Sequence, residues 1–211
     1  KVRTETQLKV LRRHNVPVDR LGHAQVVSQL VDDEFRTRQI AEDVAKAVRK
    51  DRKVMVVSER LEHLRKIEEH LNPLLLRMEL PFEPVVDRYV GEWFVPGGDK
   101  KKKLTEDDYK RAERANVILA TKQMVEEGLD IQAIDVIVLA TPMSDVEQTV
   151  GRARRTCKPA AGKCERLCPW RAGACEGKPV PIVVDVIDEL VPQAKRKWSR
   201  RRDFYHGIGA M

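Results

Sequence analysis

The chain has 211 residues, 42% of them hydrophobic, enough to build one large globular domain or two small ones with an ordinary core. Lysine and arginine outnumber aspartate and glutamate by 40 to 33, a net charge of +7 that suits a polyanionic partner without demanding one. No apolar run approaches the roughly 20 residues that span a bilayer, and the opening "KVRTETQLKV" lacks the apolar stretch of a secretory signal, so an intracellular, cytoplasmic protein without membrane contact is expected.

Residues 1–27 are polar, weakly periodic and broken by Pro17, and read as a lead-in or linker to a domain over 28–211. From Ser28 to Lys50 the apolar residues Leu30, Val31, Phe35, Ile40, Val44, Ala47 and Val48 recur at three- and four-residue spacings, which predicts an amphipathic helical stretch. "KVMVVS" (Lys53 to Ser58) predicts a strand and Arg60 to Leu71 a helix. "PVVDRYV" reads as a strand, Glu106 to Arg114 as a helix, and "NVILAT" and "DVIVLAT" as two further strands. Val146 to Arg155 is a helix candidate, "VPIVVDVID" a strand, and Leu190 to Tyr205 a basic helix. Continuous apolar strands alternating with helices predict an α/β fold, a mainly parallel sheet covered on both faces. "PGGDKKKKL" (Pro96 to Leu104) reads as a solvated surface loop. The Gly-x-x-x-x-Gly-Lys-Ser/Thr spacing of a phosphate-cradling loop is absent from these residues.

In such sheets ligands bind at the carboxyl ends of the strands, where "ATKQMVEEGLD" and "ATPMSDVEQTVGRARR" begin. On a helix over Val146 to Arg155, the residues Gln148, Arg152 and Arg155 share a face while Arg154 points elsewhere. Two guanidiniums on one face, beside Gly151, suit phosphate oxygens; a surface helix with scattered arginines is the other reading. Thr121 directly follows a strand, where its hydroxyl and nearby amides could hold a phosphate. Gly128 and Asp130 form either a turn whose carboxylate accepts a ribose hydroxyl or an ordinary helix-to-strand turn.

In this order, these segments resemble the second, C-terminal RecA-like domain of superfamily 2 helicases of the DEAD/DEAH type. "ATKQMVEEGLDI" is similar to that family's motif V and "QTVGRARR" to its motif VI, Gln-x-x-Gly-Arg-x-x-Arg. "KVMVVSER" occupies the place of motif IV, and "RYVGEW" is similar to the strand and glycine that follow it. The resemblance runs from about Leu30 to Tyr205. DEAD-box RNA helicases usually carry His-Arg-x-Gly-Arg and Arg-Gly-Leu-Asp at these places, whereas this chain has Glu147 and Gln148, and Glu127 and Gly128. With "VSERLEHL", "DVIVLATP" and "RRRDFY", the pattern is more similar to phage and viral DNA helicases.

The resemblance implies a motor in which two RecA-like domains of one polypeptide sandwich ATP with Mg²⁺. The second domain's arginines stabilise charge on the transferred phosphoryl group, a contribution of roughly 10³ to 10⁵ in rate in comparable enzymes. By motif position, Arg152 and Arg155 are the finger candidates, with Gln148 near the γ-phosphate or bridging the domains. Gly128 and Asp130 would touch the nucleotide, and Thr121, Ser58 and Arg60 the nucleic-acid backbone, DNA first and RNA second. The phosphate-loop lysine and the Mg²⁺ carboxylates belong to the first domain, so these residues alone are expected to hydrolyse essentially no ATP. The basic stretch "KRKWSRRRDFY" could add to the grip on nucleic acid or be a solvated helix.

All four cysteines fall in one insert over residues 157–178, spaced Cys157-x6-Cys164-x3-Cys168-x6-Cys175. Four thiolates in so short a window could close tetrahedrally around structural Zn²⁺, in preference to free thiols or disulfides. Trp170 in this insert would pack the loop or stack on a base. The competing class is a non-catalytic module that keeps the helicase fold and binds nucleic acid through its basic surface.

Overall fold

The computed structural model describes residues 22–127, 131, 134–153 and 180–210, together with the backbone of 7–13; of 152 and 153 it describes the backbone alone. Its elements, in chain order, are β1 (Gln7–Arg13), α1 (His23–Asp32), α2 (Glu34–Arg49), β2 (Val54–Ser58), α3 (Leu61–Leu76), β3 (Val86–Tyr89), β4 (Glu92–Phe94) and β5 (Lys101–Lys103). There follow α4 (Glu106–Ala112), β6 (Val117–Thr121), α5 (Lys122–Glu127), β7 (Val136–Leu139), α6 (Glu147–Ala153), β8 (Ile182–Asp188) and α7 (Pro192–Gly207).

Six strands form one sheet in the order β1-β8-β7-β2-β6-β3, and every neighbouring pair is parallel. The alternation of side chains along these strands divides the core in two. Val54, Val56, Val117, Leu119, Val136 and Val138 face α2 and α3, meeting Ile40, Val44, Leu64 and Ile67. Met55, Val57, Ile118, Ile137, Leu139 and Val183 face the other way, onto Val125 of α5, Val146 and Val150 beside and within α6, and Tyr205 of α7. Strands buried on both faces are why the sequence shows them as unbroken apolar runs.

Three segments depart from the sequence reading. The expected lead-in over 1–27 contributes β1, which pairs with β8 from Gln7↔Ile182 to Arg13↔Asp188. The helical stretch from Ser28 begins earlier, at His23, and divides at Asp33, whose carboxylate accepts the Arg36 amide at 2.9 Å and caps α2. The lysine run expected as a loop is partly strand, because β5 pairs antiparallel with β4 in a separate hairpin. Among the described residues no helix is long and apolar enough to cross a membrane.

Candidate functional site

A fully parallel sheet carries all its strand carboxyl ends on one edge. Here Ser58 of β2 lies in register with Thr121 of β6, and Val57 with Leu139 of β7. β2 is central, with β6 and β3 on one side and β7, β8 and β1 on the other. The crevice beyond β2, β6 and β7 is the place where such sheets hold ligands.

The loop leaving β2 is set by internal polar contacts. Ser58 is fully buried; its Oγ accepts the Arg60 amide at 3.1 Å and shares a 3.3 Å hydrogen bond with Nδ1 of His63. The Ser58 hydroxyl is therefore engaged within the protein, while Arg60, at the start of α3, and Thr121 are partly exposed at the edge. His63 is itself completely buried, and burial first, then the charges of Arg36 and Lys66, hold its imidazole pKa well below the ordinary value of 6.5. A neutral ring in this position keeps the serine contact at physiological pH.

Glu59 ties the loop after β2 to the segment after β7 and to α1 and α7. Its amide donates to Thr141 Oγ1 just beyond β7 at 2.9 Å, and its carboxylate meets His23 Nε2 of α1 at 2.8 Å. Lys197 of α7 donates to the Pro142 carbonyl at 3.0 Å and stands 3.9 Å from the same carboxylate. Partial burial, foremost, lowers the Lys197 pKa, against the opposing pull of Glu59.

α6 leaves this edge after β7. Val146, Thr149 and Val150 are buried against the sheet, which turns Gln148 and Gly151 outward into solvent. A Cβ built at Gly151 would meet nothing within 4 Å, so the outer face of the helix is open to close approach. Arg152 has its backbone in α6, one turn beyond Gln148. Arg155, Gly128, Asp130, Trp170 and the cysteines Cys157, Cys164, Cys168 and Cys175 lie outside the described residues. Among the described residues, no group of three or more His, Cys, Asp or Glu side chains could hold a metal ion.

Two buried arginines escaped the sequence reading. Arg36 of α2 makes a two-point contact with Asp188 at the end of β8, at 3.0 and 3.2 Å, with both side chains fully buried. Arg201 of α7, in the segment read as a basic tail, is likewise buried: it clasps Asp185 of β8 and donates to the Met143 carbonyl in the loop entering α6. Asp185 and Asp188 inside "VVDVID" were the visible clue, since a carboxylate on a buried strand needs a cation or hydrogen-bond donor beside it.

No protein-family model matches the chain. The structure is similar to that of T4 UvsW, with a TM-score of 0.64, 14% sequence identity and coverage of 97% of this chain and 40% of that one. It is also similar to a variant of S. cerevisiae Dbp5 bound to RNA and ADP BeF3, with a TM-score of 0.50, 12% identity and coverage of 100% and 41% of the two chains. A stretch of 52 residues is 36% identical to an Acanthamoeba polyphaga mimivirus protein named "Putative ATP-dependent RNA helicase", covering 25% of this chain and 10% of that protein. The chain thus spans about two-fifths of the solved structures and a tenth of the viral relative. The fold is the RecA-like α/β fold.

Proposed function

We propose that the chain is the C-terminal motor domain of a superfamily 2 ATP-dependent helicase or translocase, acting on DNA. The observation that carries this reading is the meeting, at one sheet edge, of Thr121 at the end of β6 with α6 after β7, whose outward face holds Gln148 and an open Gly151. In the proposed assembly, ATP with Mg²⁺ is held mainly by the N-terminal RecA-like domain of the same polypeptide. ATP supplies the phosphoryl group whose transfer to water drives the motor.

Within that assembly Arg152 and Arg155 approach the phosphates as charge develops, and Gln148 hydrogen-bonds beside them. Delocalised guanidiniums suit this task because they offer fixed, always-charged donor pairs to phosphate oxygens. Gly128 and Asp130 contribute further nucleotide contacts. Thr121 and Arg60 contact the nucleic-acid backbone, and buried Ser58 sets the loop that presents Arg60. Contacts of this kind are salt-sensitive and weakly sequence-specific.

A second reading, an RNA-dependent motor, is favoured by the 52-residue similarity to a protein named as an RNA helicase. Steady-state ATP hydrolysis by the full-length protein, alone and with single-stranded DNA or RNA, separates the two. Stronger stimulation by DNA is expected; stimulation by RNA alone selects the second reading. Absence of hydrolysis with either polymer overturns both and leaves a non-catalytic binding module. The 211 residues by themselves are expected to hydrolyse no measurable ATP.

A further inference from the structure

The lysine run Lys100–Lys103 is not explained by the site above, and its position is informative. β3 ends at Tyr89, opposite Ala120 of β6, so the chain leaves the sheet beside Thr121, on the edge that carries the candidate site. It then forms the β4–β5 hairpin, with Glu92, Trp93 and Phe94 opposite Lys103, Lys102 and Lys101, and returns where the Leu104 amide donates to the Gly91 carbonyl at 3.2 Å.

The hairpin is clamped at its turn and along its length. Gly97 adopts a positive φ of 81° in the turn, and the Val95 amide donates to the Lys100 carbonyl at 2.7 Å. Arg65 of α3 donates to Asp99 at 2.9 Å and lies 4.2 Å over the Phe94 ring, while Arg88 stands 5.1 Å over Trp93. Arg65 is five residues beyond Arg60, about 7.5 Å along the helix axis. The clamp therefore fixes the hairpin against the first turns of α3, the helix that Arg60 begins.

The acids of the hairpin are already engaged, Glu92 with Lys101 at 3.3 Å and Asp99 with Arg65. Lys100, Lys102 and Lys103 are exposed and have no carboxylate within 4.0 Å among the described residues. Side chains alternate along a strand, so Lys100 and Lys102 fall on one face and Lys103, opposite Glu92, on the other. Like charges this close repel one another, and a polyanion laid along the strand within reach of these long side chains relieves that repulsion. We propose that the β4–β5 hairpin is a second phosphate-contacting surface, which extends the nucleic-acid track from Thr121 and Arg60 through Lys100, Lys102 and Lys103. This rests on the motor reading above. Lysines also guard edge strands against unwanted pairing; substitution by glutamine separates that role from phosphate contact through the salt dependence of binding.

The test uses the full-length protein and a labelled single-stranded oligonucleotide, titrated between about 50 and 200 mM salt. Three lost phosphate contacts should flatten the plot of log K against log salt by about 2, at roughly 0.7 per contact on a single strand. The variant Lys100→Gln/Lys102→Gln/Lys103→Gln is expected to show that change, with a higher KM for nucleic acid and an unaltered kcat for ATP. The control Lys46→Gln/Arg49→Gln/Lys50→Gln, at the exposed end of α2 leading into the start of β2, is expected to keep the wild-type slope. If wild-type protein is stimulated by nucleic acid but the hairpin variant keeps its slope, the hairpin assignment is overturned and the motor reading stands. If wild-type protein neither binds nor is stimulated, both fall.

Discussion

Arg201 closes on Asp185 through two hydrogen bonds, Nε to Oδ2 at 2.7 Å and Nη2 to Oδ1 at 2.9 Å, with both side chains only 1% exposed. Tyr205 donates to the same carboxylate at 3.0 Å, and the remaining Arg201 nitrogen donates to Met143. This cluster links α7, β8 and the loop that launches α6, so the buried pair helps to set where Gln148 stands. Burial, the largest influence, raises the Asp185 pKa, and Arg201 opposes it. Removing Arg201 leaves a buried carboxylate without its cation, and Arg201→Met is expected to cost about 3–5 kcal/mol in urea unfolding. The double variant Arg201→Met/Asp185→Asn should recover at least half of the loss, since Tyr205 keeps an acceptor. A double variant no more stable than the single one would show that the pair is not the source of the penalty.

His63 gives the fold an acid-sensitive point. Its folded pKa lies well below 6.5, because of burial and then the neighbouring Arg36 and Lys66. As pH falls below 6.5, the unfolded chain binds a proton that the folded chain refuses, so stability is lost until the folded pKa is reached. The loss can reach about 1.4 kcal/mol per pH unit. His63→Asn keeps a hydrogen-bonding group near Ser58 and cannot titrate. Unfolding midpoints at pH 7.5 and 5.5 should therefore fall further in wild type than in this variant, and equal falls would contradict the assignment.

Zinc content tests the expectation, drawn from sequence spacing alone, that Cys157, Cys164, Cys168 and Cys175 hold a structural zinc. On that expectation, protein purified without added zinc should carry about one equivalent. Less than about 0.2 equivalents of any metal, with all the thiols free to react, would reject the site.

Burial explains which parts of the fold were legible. β2, β6, β7 and β8 are covered on both faces, so "KVMVVS", "NVILAT", "DVIVLAT" and "VPIVVDVID" are unmistakably apolar. β1 sits at the edge, and its "QLKVLRR" is too polar to stand out. α1 and α2 share one apolar rhythm, and only the capping role of Asp33 separates them. Arg36 draws no notice in the sequence and Arg201 reads as part of a basic stretch, because their partners lie 152 and 16 residues away. The hairpin was hidden for a similar reason: Phe94 is held by Arg65 of α3, a tertiary contact that no short window contains. At the site, motif spacing singled out Thr121 and Gln148, but the burial of Ser58 depends on His63 and could not be read from "VSER".

The central claim is that the face of α6 completes an ATP site shared with another domain. Its most direct test is kcat for nucleic-acid-stimulated ATP hydrolysis by the full-length protein, wild type against Arg152→Ala and Arg155→Ala, with folding checked by thermal unfolding. Each variant is expected to lose roughly 10³-fold or more in kcat, the range of comparable arginine fingers, while keeping its melting temperature and nucleic-acid binding. Wild-type turnover in both variants would contradict the account.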